Sequence, residues 1–178
     1  MRYLVAWLLA CCPLLASAEI GEAVGFHKRP NNDYTEPETE RVDEAIVLPA
    51  YPNDADLIEF YVSATATNRF FVDGNSLSVG KDGVVRYTLV IKTAGGATNV
   101  DYEGIRCASR EFRIYATGRA DGSWLPNRST DWRLIENRDV NRYHAALNRE
   151  FLCPIGNPIQ TAEEGRNALR RGKHPLVP

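Results

Sequence analysis

Residues 57–119 alternate between apolar and polar positions in a way that is typical of antiparallel β-strands. The alternation is clearest in Val84–Lys92, and a period of two residues indicates a strand. Its apolar face consists of Val85, Tyr87, Leu89 and Ile91. β-branched residues also occupy the opposite face, which places this strand at the centre of a sheet. The pattern predicts further strands at Leu57–Ser63, Arg69–Asp73, Ser76–Val79, Asn99–Cys107 and Glu111–Arg119, with Phe112, Ile114 and Ala116 facing the core.

The pattern changes after Pro126 from a spacing of two to spacings of three and four. Asp139 is a suitable N-cap, and the apolar positions Val140, Tyr143, Leu147 and Phe151 predict a helix that runs to about Leu152. A second helix is expected from the capping box Thr161-x-x-Glu164 to about Arg171, with Gly172 as its C-cap.

A run of strands followed by helices predicts an α+β fold. We expect a twisted antiparallel sheet of about six strands, open or curved into a half-barrel, with two C-terminal helices. Trp132–Ile135 is a candidate edge strand. The folded part is expected to be one domain over residues 45–178. Residues 19–44 are polar and contain two prolines, so they are predicted to form a flexible arm.

Residues 1–18 have the features of an export signal. Arg2 precedes the apolar segment Tyr3–Leu15, and Ala16-Ser17-Ala18 is a suitable cleavage site before Glu19. This predicts a periplasmic protein without a transmembrane segment. The alternative is a membrane-anchored lipoprotein, because the residues that lead to Cys11 and Cys12 resemble a bacterial lipobox.

Removal of the signal leaves Cys107 and Cys153. Two cysteines in an oxidising compartment most simply form one disulfide. The bridge would close a loop of about 45 residues and contribute roughly 4 kcal/mol in the chain-entropy description. A reactive thiol pair or a metal site is the alternative, although the chain after the signal has no Cys-x-x-Cys.

Charge and motifs exclude several classes of function. The formal net charge is −2, with Lys and Arg spread along the chain, which does not fit a nucleic-acid-binding surface. The sequence has neither the G-x-S-x-G motif nor the H-E-x-x-H motif. We therefore predict no catalytic residue, no metal and no cofactor. Of the histidines, His144 is expected to be half-buried beside its helix stripe, and His174 to lie in a tail.

The most polar part of the predicted sheet is the only candidate binding site. A functional interpretation makes it one wall of a pocket, whereas the alternative is cross-strand ion pairing on a solvated face. Trp124 and Trp132 flank a polar loop and are either recognition anchors or a cover over one sheet face. The candidate binding residues are Arg86, Asn99, Tyr102, Glu103, Arg106, Arg113 and Trp124.

Several segments together resemble a known family. They are LPAYPNDADLIEFYVSATATNRFFVD, SLSVGKDGVVRYTLVIKTAGGATNVDYEGIRC, RIYATGRADGSW and YHAALNREFLCP. Over roughly residues 48–172 the chain resembles the cryptic neisserial protein-like family. The resemblance implies an exported bacterial envelope protein, periplasmic or lipid-anchored, of uncharacterised activity. It supplies no catalytic residues.

The leading functional hypothesis is a non-catalytic envelope module that binds a protein or surface partner. A carrier of a small ligand or lipid is the first alternative, and it requires an open cavity lined by Phe60, Tyr87, Leu89 and Phe112. An enzyme that uses Glu103 and Arg106 is the second. It requires these two groups to converge in a cleft where the carboxylate has a perturbed pKa.

Overall fold

The computed structural model describes residues 44–129, 131–138 and 142–178. These residues belong to one compact unit, Glu40–Pro178. The predicted signal, the lipobox-like cysteines and almost all of the predicted arm lie outside the described residues. Asp139 and Val140 of the first predicted helix also lie outside them, so neither the proposed N-cap nor the first position of the apolar stripe is described.

The described chain forms an α+β domain, as predicted, around an open antiparallel sheet of seven strands. The strands are β1 (Leu57–Phe60), β2 (Arg69–Val79), β3 (Val84–Lys92), β4 (Thr98–Arg106), β5 (Glu111–Gly118), β6 (Trp124–Pro126) and β7 (Arg133–Leu134). They follow one another from β1 to β6 in sequence order, and β7 also pairs with β5. The helical elements are α1 (Arg142–Ala146), a π-helical segment (Leu147–Leu152) and α2 (Ala162–Arg171).

Different segments of the chain pack against the two faces of the sheet. The core face carries the predicted apolar positions of β3, and the π-helical segment and α2 pack against it, so that these β3 side chains are 0–9% exposed. The outer face carries Arg86, Thr88 and Val90 from the same strand. Residues 44–56 cross it, where Ile46 and Tyr51 pack beside Trp124. Trp124 donates a hydrogen bond from Nε1 to the Pro49 carbonyl oxygen at 2.9 Å.

Three of the predicted strands differ clearly from their predicted bounds. The two predicted pieces on either side of Gly74 are one strand, β2, whose register with β3 shifts between Asp73 and Ser78. β1 ends at Phe60 and not at Ser63.

A bulge interrupts the predicted alternation of β5. Tyr102 pairs with Ala116 while Glu103 pairs with Ile114, so β5 contains one extra residue at this point. An extra residue reverses the facing of every side chain that follows it. Ala116 therefore lies on the outer face with Tyr102, and the prediction that it faces the core is wrong.

The first C-terminal helix is only partly α-helical. Its last six residues, Leu147–Leu152, are π-helical, and Leu147 and Phe151 reach the core as the stripe predicted. The second helix follows its capping box closely. Thr161 Oγ1 accepts a hydrogen bond from the Glu164 N–H at 3.1 Å, and Gly172 ends the helix with a φ of 82°.

A disulfide joins Cys107 to Cys153, with 5.3 Å between the two Cα atoms. This confirms the predicted bridge. Cys107 follows the last residue of β4, and Cys153 follows the π-helical segment, so the bridge fastens the end of the first helical unit to the sheet. Among the described residues, no helix is long and apolar enough to cross a membrane.

Candidate functional site

The predicted polar cluster is divided between the two faces of the sheet. Glu103 and Asn99 pair with the core-face residues Tyr87 and Ile91 of β3. Their neighbours along β4 point the other way. The predicted residues on the outer face are Arg86, Tyr102, Arg106, Arg113 and Trp124. Since the sheet separates the two groups, the seven residues do not line one pocket.

On the core face, Glu103 forms a buried hydrogen-bonded contact with His144 of α1. Oε2 of Glu103 lies 2.9 Å from His144 Nε2 and also accepts a hydrogen bond from the Tyr87 hydroxyl at 3.0 Å. The Glu103 and His144 side chains are each 1% exposed. The Phe112 ring stacks on the imidazole at a centroid distance of 3.7 Å. His144 is therefore fully buried and hydrogen-bonded, and the prediction that it is half-buried is wrong.

Two polar atoms of this contact have no hydrogen-bond partner among the described residues. They are Glu103 Oε1 and His144 Nδ1. Burial also raises the pKa of the Tyr87 hydroxyl, an effect that the neighbouring Glu103 carboxylate increases. Tyr87 thus stays protonated and serves as a donor. Because the group is closed to solvent, it attaches α1 to β3 and β4 and does not contact a ligand.

Asp101 is the carboxylate of this face that lies nearer to solvent. Burial raises its pKa above the usual value, the hydrogen bond from Thr117 opposes the increase, and the charge of Glu103 adds to it. Thr117 Oγ1 donates this bond at 2.7 Å. Of the two carboxylates of β4 on this face, Asp101 is therefore partly accessible to solvent, whereas Glu103 is buried below α1.

On the outer face, arginine and aromatic side chains stack on one another. The Arg106 guanidinium lies 4.0 Å from the centroid of the Trp132 ring, and that of Arg113 lies 6.0 Å from the same ring and 5.2 Å from Tyr115. Leu134 of β7 pairs with Glu111 at the edge of this stack and is 67% exposed. Arg106, Arg113, Trp132 and Leu134 are called the arginine–tryptophan patch below.

The other predicted residues of the outer face are occupied within the domain. Arg86 donates to Asp82 Oδ1 at 3.0 Å and is buried. Tyr102 is also buried, and Trp124 holds residues 44–56 in place. Arg106 and Arg113 are half-buried, as Trp124 is, and both stack on Trp132.

A glycine makes the close stacking of the outer face possible. A Cβ atom on Gly104 would lie 2.6 Å from the Tyr115 hydroxyl oxygen and 2.9 Å from Val84 Cγ1. The β4 backbone at this glycine therefore approaches Tyr115 closely, and the guanidinium groups of Arg86 and Arg113 lie 5.8 Å and 5.2 Å from the centroid of the Tyr115 ring.

The position of His174 differs from the one that the sequence predicts. It was expected in a tail, but it is buried and its Nε2 lies 2.9 Å from Glu164 Oε1. Its backbone N–H also donates to the Glu150 carbonyl oxygen at 2.7 Å. In the described part of the chain, no three His, Cys, Asp or Glu side chains are grouped so that they could hold a metal ion.

Comparison with known proteins gives one match. The family model described as the CNP1-like family matches residues 36–170, which include the whole sheet and nearly all of α2. No curated protein and no solved structure matches the chain.

Proposed function

Because this chain belongs to the CNP1-like family, which is bacterial, we propose that it is an exported, non-catalytic binding module of the cell envelope. The arginine–tryptophan patch is its surface for an acidic protein partner. The finer identification with the cryptic neisserial protein-like family stays a prediction.

The composition of the patch is the observation that carries this proposal. Arginine and tryptophan are enriched at the residues that contribute most to protein–protein binding. Here two guanidinium groups flank one indole ring, and the exposed Leu134 adds an apolar contact beside them. The positive charge favours a partner with an acidic surface, and complementary charge accelerates association.

The arrangement of the carboxylates argues against the enzyme alternative. Glu103 and Arg106 point to opposite faces of β4, so they do not converge on one substrate. The carboxylate that has a histidine partner is sealed from solvent. A general acid or base has to come within hydrogen-bond reach of the group that it protonates or deprotonates.

The carrier alternative lacks the open cavity that it requires. Phe60, Tyr87, Leu89 and Phe112 are all less than 5% exposed and belong to the core below the helices. The protein's own side chains fill this part of the sheet face.

Export remains part of the proposal. We infer periplasmic placement after cleavage before Glu19, with attachment through a lipidated Cys11 or Cys12 as the alternative. The Cys107–Cys153 disulfide supports export, since structural disulfides persist in oxidising compartments and are rare in the bacterial cytosol.

Site-specific photo-crosslinking in bacteria that produce this protein naturally tests the partner surface. A photoreactive amino acid replaces Leu134 in the patch, and a matched control replaces Ile155, which is 74% exposed and belongs to the turn Pro154–Gly156 after the π-helical segment. We expect a discrete crosslinked protein from position 134 and none of the same mass from position 155.

Charge reversal shows whether the crosslink depends on the patch. Arg106→Glu should abolish the product from position 134, whereas Arg171→Glu, an exposed arginine at the end of α2, should leave it unchanged. Equal products from positions 134 and 155, or no product from position 134, would refute the proposed surface.

A further inference from the structure

Two adjoining cavities lie beside α1, on the other side of the sheet from the arginine–tryptophan patch. One has a volume of about 550 Å³ and lies between the β1–β2 connection, the end of the sheet and Tyr143. The other has a volume of about 520 Å³ and continues along the π-helical segment to Lys173. They share Val62, Ser63 and Arg142, and are together called the α1 groove.

The first half of the groove combines an aromatic ring with small polar side chains. Tyr143 lines it together with the hydroxyls and amides of Ser63, Thr67, Asn68 and Asn99. Asn99 and Thr67 are exposed, and their side chains make no hydrogen bond within the described residues. Amide and hydroxyl groups both donate and accept, so they suit a ligand with many hydroxyls.

Tyr143 is held firmly in this position. Its ring stacks on Phe70 at a centroid distance of 5.5 Å and lies 4.3 Å from the ring of the buried His144. The Glu103–His144 contact thus supports the residue that forms the aromatic wall. A rigid aromatic wall loses little conformational entropy when a ligand packs on it.

The second half of the groove is basic. Arg149 and Lys173 line it, as does Glu150, which pairs with Arg149 at 3.0 Å. With the shared Arg142, the groove has three cationic side chains and one carboxylate. Tyr61, which is 67% exposed, adds a second aromatic ring at this end.

The π-helical segment shapes this half of the groove. Arg149, Glu150 and Phe151 all belong to it and all line the cavity. π-helical turns are rare and frequently occur at functional sites. This observation is independent of the chemistry of the lining.

We propose that the α1 groove binds an acidic oligosaccharide. The apolar face of a pyranose ring packs against Tyr143, its hydroxyls bond to the amides and hydroxyls of the first half, and an acidic group pairs with the cations of the second half. A groove with two aromatic rings separated by several side chains fits two or more linked sugars. This site is separate from the patch and does not depend on the proposed protein partner.

Calorimetric titration with two oligosaccharides of equal length tests the inference. Hyaluronan hexasaccharide carries carboxylates, whereas chitohexaose has N-acetyl sugars without charge. We expect saturable binding of hyaluronan hexasaccharide that weakens as salt is added, because screening reduces the attraction between exposed charges. Chitohexaose should bind at least several-fold more weakly.

Two exposed positions provide variants that are expected to fold normally. Tyr61→Ala and Lys173→Glu should each weaken hyaluronan binding several-fold. Lys81→Glu is the matched control, because Lys81 is also exposed but lies in the β2–β3 turn outside the groove. Its affinity should equal that of the wild type.

Three results would overturn the inference. They are no binding of hyaluronan hexasaccharide, equal binding of chitohexaose, and loss of affinity in Lys81→Glu to the same extent as in Lys173→Glu. Tighter binding of a hexaglutamate peptide would also overturn it, by assigning the groove to an acidic peptide. Arg106→Glu should retain oligosaccharide binding, which separates this test from that of the protein-binding surface.

Discussion

At the scale of single residues, Glu103 and His144 form a more deeply buried pair than Arg86 and Asp82 do, with side chains 1% exposed against 6% and 8%. One carboxylate oxygen serves both His144 and Tyr87, and solvent reaches neither side chain of the pair. Removing one member of such a pair leaves buried polar groups without a partner, which is strongly destabilising.

We therefore expect Glu103→Ala to lower the free energy of unfolding by roughly 3–5 kcal/mol. Urea denaturation at pH 7 measures this loss. The matched control is Glu59→Ala, which breaks the exposed ion pair between Glu59 and Arg69 and should cost no more than about 1 kcal/mol. Equal losses in the two variants would show that burial does not determine the strength of the Glu103 contact.

The lowered pKa of Asp82 predicts that the protein loses stability as the pH falls. Burial by itself would raise its pKa, but hydrogen bonds from the Arg86 guanidinium and from the backbone N–H groups of Glu44 and Val84 lower the pKa to about 2. An unfolded aspartate has a pKa of about 3.9. The ionised Asp82 carboxylate therefore adds to the free energy of unfolding above about pH 4. This contribution is lost as the pH falls from about 4 to about 2.

The lost free energy of unfolding should be roughly 2 kcal/mol over this interval. Urea denaturation at several values between pH 5 and pH 2 measures it. Asp82→Asn should be less stable than the wild type at pH 5 and nearly equal to it at pH 2. As a control, Asp54→Asn alters an exposed aspartate, 82% accessible, and should keep the wild-type slope. A slope that Asp82→Asn leaves unchanged would assign the acid sensitivity to other groups.

The pairing of Glu103 with His144 could not be predicted from the sequence. The two residues are 41 positions apart, and each stands in a pattern with an ordinary local explanation. Glu103 belongs to a polar strand, and His144 lies beside an apolar helix stripe. Only the register of β4 on β3, which places Glu103 opposite Tyr87, shows that this carboxylate points into the core.

At the scale of elements, prediction succeeded where the local pattern is uninterrupted. β3 has the predicted bounds, and α2 begins and ends at its predicted caps. It failed where pairing inserts a residue, as in β5, because a bulge is a property of two strands and not of one. The π-helical segment was missed because an α-helical stripe of apolar residues also describes its buried side.

Removal of the disulfide is expected to loosen the helices from the sheet. It closes a separation of 46 residues, and a loop of this size contributes roughly 4 kcal/mol in the chain-entropy description. Cys107→Ser should therefore lower the melting temperature by roughly 10 °C or more. Calorimetry of the oxidised protein, the reduced protein and the variant measures the effect.

Reduction of the wild type provides the comparison for this prediction. It should lower the melting temperature by a similar amount and leave the Cys107→Ser variant unchanged. If reduction altered neither the mass by two hydrogens nor the melting temperature of the wild type, the bridge would not exist in the folded protein.

At the scale of the whole molecule, the sheet separates two surfaces of different chemistry. The arginine–tryptophan patch lies on the outer face, and the α1 groove lies beside the helices that cover the core face. The sequence indicated the residue types of the patch but not the groove, because the β1–β2 connection and the first helix meet only in the folded chain. The two surfaces have no lining residue in common, so each can be tested without disturbing the other.

Export and cleavage before Glu19 are predicted from residues 1–18. Intact mass spectrometry of the protein purified from a bacterial envelope should give the mass of residues 19–178 with one disulfide and no acyl chain. The apolar segment Tyr3–Leu15 and the cleavage site Ala16-Ser17-Ala18 determine this expectation. Ala18→Pro should block cleavage and retain the full-length precursor, whereas Cys11→Ser and Cys12→Ser should leave the product unchanged. An acylated N-terminal cysteine would instead establish lipid anchoring, and would place both binding surfaces at a membrane rather than free in the periplasm.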